Sequence, residues 1–222
     1  ATLNVIGSNF PETVGTGGLF GNDAVSFQVQ GSSGVTLNVN GNRFGDHAMG
    51  GVSLFGNAID IGNSTGGAMM ATGTFNLIAD NNVSDQDPAN LNKAGNFKIS
   101  GQDSLTVNIN WTRNGFTGAK GNGILAVDAN DSSTVQGTIG GPVGMGNTIT
   151  NATNSNGIVL LGDESSTLRV VVEGNMITNV GTDGIQIANF GSTLGQSTDM
   201  DVVLRGNTVD MHNGGGTPFL AG

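Results

Sequence analysis

Trp111 and Arg113 are the residues of this chain best suited by type to hold a sugar. They stand two apart, so an extended strand points them to the same side. An indole face takes the apolar face of a sugar ring, and a neighbouring guanidinium binds hydroxyls or a carboxylate. Trp111 is the single tryptophan of the chain. Aligned by the repeat described below, Asn82 and Ser84 stand beside this pair in one direction and Thr148 and Thr150 in the other. Trp111, Arg113, Asn82 and Thr148 therefore form the candidate substrate-binding group. The other basic residues, Arg43, Lys93, Lys98, Lys120, Arg169 and Arg205, are scattered. Asp128-Ala129-Asn130-Asp131 and the stretch from Asp80 to Asp87 are rich in oxygen ligands, which calcium needs in number. Asp128, Asn130 and Asp131 are the calcium candidates, although neither stretch matches an EF-hand loop or a calcium-binding nonapeptide. A solvated acidic turn is the simpler reading. There is no cysteine, which excludes disulfides, thiolate metal sites and a cysteine nucleophile.

The elements that must position these groups repeat along the chain. Leu37-Asn38-Val39-Asn40-Gly41-Asn42-Arg43-Phe44 has a near copy in Leu3-Asn4-Val5-Ile6-Gly7-Ser8-Asn9-Phe10. Val170-Val171-Val172-Glu173-Gly174-Asn175-Met176-Ile177 and Val202-Val203-Leu204-Arg205-Gly206-Asn207-Thr208-Val209 follow the same pattern. Taking the Asn after the Gly as reference, the slot falls at Ser8, Asn42, Asn81, Asn110, Asn147, Asn175 and Asn207. The steps are unequal, which suits a solenoid of constant strands and variable loops better than a helical array. A second short strand follows each slot, opened by Gly, at Gly51–Leu54, Gly123–Val127, Gly157–Leu160 and Gly184–Ile187. Apolar residues two apart and many β-branched positions give the strand period. No window carries a helical period. Glycine and asparagine are the residues that most easily adopt the left-handed backbone of a tight turn. Stacked coils then set one Asn amide over the next, so Asn42, Asn81, Asn110, Asn147, Asn175 and Asn207 are expected to form a structural ladder. A second polar column is expected at Asp46, Asp85, Asn114, Asn151 and Asn179. Loops are expected at Gly56–Gly73, Asp85–Ala94 and Asn189–Thr198.

This repeat, Gly-Asn-x-apolar followed by Gly-Ile-x-apolar, resembles that of the right-handed parallel β-helices of the pectate-lyase-like group, among them the β-helix repeat proteins of bacterial surfaces. The resemblance runs from Leu3 to about Leu220. It implies an all-β, right-handed parallel β-helix of about seven coils with little or no helix. It does not fix a function, because the group holds lyases, hydrolases, epimerases, phage tailspikes and adhesins. A lyase or epimerase of this group would use a base and a cluster of cations, and the polygalacturonase motifs are absent here. His47 and His212 share a column but lie about 29 Å apart at the strand spacing, too far for one metal or one proton relay.

The 222 residues are expected to form one domain, residues 1–222, with both ends cut through a coil as in a segment of a longer chain. Seventeen acidic residues against seven basic ones give a net charge of −10, which repels nucleic acid and anionic membranes. No apolar run is long enough to span a bilayer, so no membrane insertion is expected. Ala1-Thr2-Leu3 opens directly inside a strand pattern, so no signal peptide is expected within these residues. The reading is a structural or interaction module of a secreted or cell-surface, bacterial, adhesin-like or fibre-forming protein. Its partners would be other copies, neighbouring domains or glycans, with no cofactor implied beyond calcium. The alternative is a carbohydrate-active lyase or epimerase with its sugar-binding face around Trp111 and Arg113. The lack of converging catalytic groups argues against an enzyme.

Overall fold

Period-two apolar stretches punctuated by Gly and Asn make strands with one buried face. The computed structural model describes residues 1–10, 25–28, 31–32, 34–44, 59–62, 72–85, 97–118, 123–152, 155–190 and 197–211. Among these the chain is an all-β parallel β-solenoid without helix, about four turns of it followed with only short interruptions.

Three parallel sheets form its walls. The first has seven strands: β1 (Thr2–Ile6), β4 (Gly34–Asn40), β7 (Thr74–Asp80), β10 (Thr106–Thr112), β13 (Thr134–Gly140), β16 (Thr167–Glu173) and β19 (Asp199–Arg205). The second has seven shorter ones: β2 (Asn9–Phe10), β5 (Arg43–Phe44), β8 (Val83–Asp85), β11 (Gly115–Thr117), β14 (Thr148–Thr150), β17 (Met176–Thr178) and β20 (Thr208–Asp210). The third has six: β3 (Val25–Gln28), β6 (Ile59–Gly62), β9 (Phe97–Gly101), β12 (Leu125–Ala129), β15 (Ile158–Asp163) and β18 (Ile185–Phe190).

In-register parallel pairing turns each inward position into a column. Val35, Phe75, Val107, Val135 and Leu168 form one, and Val39, Ala79, Trp111, Ile139 and Val172 another, all buried. Phe44, Phe116, Ile149 and Ile177 line the second sheet's inner face. Phe97, Leu125 and Ile158 line the third. Each fully buried apolar side chain stabilises the coil by roughly 1.5–3 kcal/mol. Phe97 ties the three walls together, edge to face with Phe116 at 4.9 Å and with Trp111 at 6.3 Å.

The expected loop Gly56–Gly73 is partly strand, and the expected loop at Asn189 begins inside β18. Ile59-Asp60-Ile61 alternates like the other third-sheet strands, and β6 pairs with β3 and β9 inside the Gly56–Gly73 stretch. The expected strand at Gly51–Leu54 lies outside the described residues. So do Asp46, His47, His212, Lys93, Lys120, Asp87 and Pro88.

Candidate functional site

The turn from the first sheet to the second contains a row of buried polar side chains. Its corner residue adopts a left-handed backbone at Gly7, Gly41, Asn81, Arg113, Gly174 and Gly206, with φ between 54° and 65°. The residue after the corner sends its side chain into the coil. There Asn42, Asn82, Asn114, Asn147, Asn175 and Asn207 stack as a ladder, buried down to Asn175. In the first coil Ser8 stands in the slot, and its backbone N–H donates to Asn42 Oδ1 at 2.9 Å.

Asn82, Asn114, Asn147 and Asn175 repeat one hydrogen-bond scheme. Asn114 Oδ1 accepts from the Asn82 backbone N–H at 3.0 Å and from Asn82 Nδ2 at 2.8 Å. Asn114 Nδ2 donates to the Ala79 carbonyl and to Asn147 Oδ1, each at 2.9 Å. A carboxamide has two donors and room for two acceptances, so the group is saturated. A saturated, buried amide has nothing left with which to hold substrate.

Two of the expected rungs are elsewhere. Asn81 is the corner residue itself, since asparagine tolerates a left-handed backbone, and Asn82 is the rung. Asn110 is exposed in the middle of β10, opposite Ile78 and Thr138, while Asn114 carries the ladder four residues on. For Asn110 the distinguishing signal is the residue two beyond the rung, which is apolar at Phe44, Phe116, Ile149, Ile177 and Val209, whereas Asn110 would place Thr112 there. In the Asn82 coil the same position holds buried Ser84, so that signal is missing. The second expected column is partly re-sorted too. Asn151 and Asn179 share a left-handed turn with Gly118, and Asn179 Nδ2 donates to Asn151 Oδ1 at 2.8 Å.

Trp111 is not on the surface. Because β10 runs on to Thr112, Trp111 follows Val107 and Ile109 on the inward side and is fully buried. Its carbonyl accepts from Asn147 Nδ2 at 2.9 Å, and its indole N–H has no partner. Asn82 and Thr148 are not its neighbours either. Asn82 is a ladder rung, and Thr148 pairs with Gly115 on the second sheet. The expected sugar platform is therefore not assembled.

Arg113 does reach the surface, at the corner of this turn. Its guanidinium grips Asp80 through both carboxylate oxygens, with Nε to Oδ1 at 2.8 Å and Nη2 on Oδ2. Thr112 Oγ1 donates to the same Oδ1 at 2.8 Å. The guanidinium holds the Asp80 carboxyl below its ordinary value, against the opposing effect of burial. Asp80 in turn raises Arg113. The Arg113 backbone N–H donates to the Met145 carbonyl at 3.1 Å, so the excursion Gly141–Gly146 borders the pair. That excursion closes on a Pro142 O to Met145 N–H bond of 2.8 Å, with Gly144 at φ 85° and Val143 fully exposed at its tip. The corner offers an ion-paired guanidinium beside an apolar knuckle. It can contact a ligand, and among the described residues its carboxylate, Asp80, is engaged by Arg113 and Thr112 and not free to act as a base.

Of the calcium candidates, Asp128 and Asn130 meet in a hydrogen bond, while Asp131 is engaged with Asp103 and Glu164. Asp128 lies on the outward side of β12, between inward Val127 and Ala129. Desolvation raises its carboxyl above the ordinary value, against a hydrogen bond from Asn130 and the Lys98 charge. Asn130 Nδ2 reaches Ser100 Oγ at 3.4 Å. Asp131, at a left-handed turn shared with Asp103 and Glu164, accepts the Asp103 backbone N–H on Oδ2 at 2.8 Å. Among the described residues no three His, Cys, Asp or Glu side chains are grouped to hold a metal.

The chain matches no known family model, no curated protein and no solved structure.

Proposed function

We propose that this solenoid is a structural and interaction module of a secreted or cell-surface protein, adhesin-like or fibre-forming. The observation that carries the reading is the asparagine turn, where a row of polar side chains that chemistry would require is consumed by its own hydrogen bonds. The neutralisation of Arg113 by Asp80 adds to it. On this reading the coil is right-handed, as parallel crossover connections almost always are. Its walls also resemble the pectate-lyase-like β-helices in architecture alone. The lyase or epimerase alternative retains Arg113 but no aromatic platform.

One experiment separates the two readings. The protein is incubated with neutral and uronate-containing polysaccharides, and new reducing ends, unsaturated products and uronate stereochemistry are followed. The module reading predicts no turnover, with or without added calcium. Turnover that disappears in Arg113→Ala would overturn it and establish the alternative.

A further inference from the structure

Short of its corner, where Asp80 and Arg113 pair, the outer face of the first sheet carries no charge on β1, β4, β7, β10 or β13. Its side chains alternate with the inward ones, and in-register pairing sorts them into three columns. One column is Thr74, Thr106, Thr134 and Thr167. The middle one is Thr2, Thr36, Asn76, Asn108 and Gln136. The third is Asn4, Asn38, Ile78, Asn110 and Thr138. Charge enters with Arg169 on β16 and with Asp199 and Asp201 on β19. The chain has seventeen acidic and seven basic residues, so a wall this neutral is a marked exclusion.

The wall is also regular and stiff. Gln136 Nε2 donates to Asn108 Oδ1 and Asn108 Nδ2 to Asn76 Oδ1, each at 2.8 Å. Asn76 Nδ2 donates to Thr36 Oγ1 at 3.1 Å, and Asn38 Nδ2 to Asn4 Oδ1 at 2.7 Å. Each amide gives one N–H to its row and has a second to offer. Hydroxyls and amides therefore repeat at about 4.8 Å along the solenoid and about 6.7 Å along the strands.

We infer that this wall is an ice-binding face. The strand spacing is close to the shortest repeat of hexagonal ice, so waters held on successive coils stand near lattice positions. Such waters bridge almost as well as direct hydrogen bonds. Side chains already fixed by the sheet and by one another lose little freedom on binding. A charged side chain would keep its own hydration shell against the lattice, which accounts for the neutrality. Other occupants suit the wall less. The three columns over five strands cover about 250 Å², well short of the ~800 Å² per partner of a stable protein interface. Ile78 is the single apolar residue in them, where a protein interface has an apolar core. A sugar favours an aromatic platform, and Trp111 on β10 points inward. The inference goes beyond the module reading and uses another surface, so polysaccharide turnover bears on that reading alone.

The test is ice-affinity partitioning of the full chain. Ice is grown slowly in the protein solution, and protein is measured in the ice and in the remaining liquid. Inhibition of ice recrystallisation is read in parallel, and circular dichroism reports the fold of every variant. Wild type should be enriched in the ice and should keep its grains small. Thr106→Lys and Thr134→Lys, each a cation in the middle of the threonine column, should lose both effects. Thr178→Lys, on β17 in the second sheet, should keep both. Where a lysine in that column disturbs the fold, Asn110→Lys at an exposed position reads the same face and should lose both effects. A folded wild type left in the liquid overturns the inference. So does ice binding that survives lysine on the first sheet, or that is lost equally in Thr178→Lys. Retention of wild type on dextran or cellulose without entry into ice overturns it in favour of a glycan.

Discussion

Trp111 lies against Ala79 on the neighbouring strand, the largest side chain of its inward column beside the smallest. The column also holds Val39, Ile139 and Val172, and all are buried. A close-packed interior admits an indole only where a neighbour gives up volume. Ala79→Leu should therefore cost roughly 1–3 kcal/mol by overpacking, and Trp111→Ala roughly 3–5 kcal/mol by cavity formation. Native Trp111 emission should be blue-shifted and protected from aqueous quenchers. Red-shifted, freely quenched emission would return Trp111 to the surface and restore the sugar platform.

Asp80 and Asp128 should respond to acid in opposite directions. The Asp80 carboxyl is held down by Arg113, so its contribution is fully present above the unfolded value of about 3.9 and is lost as pH falls through the lower folded value. Asp128 is pushed up by burial, so the coil is favoured below the unfolded value and loses that advantage as pH rises through the folded one. Thermal melts against pH should show Asp80→Asn less stable than wild type at neutral pH, the gap narrowing in acid. Asp128→Asn should be the more stable protein at neutral pH, with its gap also closing in acid. Asp128→Asn melting lower than wild type at pH 7 would contradict this assignment.

Glu173 and Arg205 face each other in register and form an ion pair of 3.0 Å. Arg169 is in register with Asp201, yet it reaches diagonally to Asp199 at 2.7 Å. Double-mutant cycles should give about 0.2–1 kcal/mol of coupling for Glu173 with Arg205 and for Arg169 with Asp199. Arg169 with Asp201 should give less. Strong Arg169–Asp201 coupling would favour pairing straight across the strands.

Gly146 is a site where one methyl group should be costly. A Cβ there would run into the Gly174 carbonyl on the next coil. Gly146→Ala should lower the denaturation midpoint well beyond Gly115→Ala, where a Cβ meets nothing. Equal midpoints would show that the Gly141–Gly146 excursion does not approach Gly174.

The wall strands were legible wherever apolar alternation runs unbroken, as in Leu37–Asn40 and Val170–Glu173. The rungs at Asn42, Asn147, Asn175 and Asn207 were legible because a Gly precedes each. In the two coils between Asn42 and Asn147 the corner is taken by Asn81 and Arg113, and the glycine mark is missing. Without that mark the expected rung falls one residue early in the first, at Asn81, and four early in the second, at Asn110. The second offset ends β10 early and turns Trp111 outward, although Val107, Ile109 and Trp111 alternate as inward residues do. Asp80 went unnoticed as the partner of Arg113 because their contact spans two coils and depends on that same register.

The claim that the asparagine turn is the spine of this solenoid is tested most directly by comparing two alanine substitutions four residues apart. Asn114 makes four ladder hydrogen bonds through its buried side chain, and Asn110 is exposed on β10. Urea unfolding should show Asn114→Ala destabilised by about 2–4 kcal/mol, because backbone groups of Asn82 and Ala79 lose their buried partners. Asn110→Ala should stay within about 0.5 kcal/mol of wild type. A loss at Asn110 that equals or exceeds the loss at Asn114 would contradict the ladder.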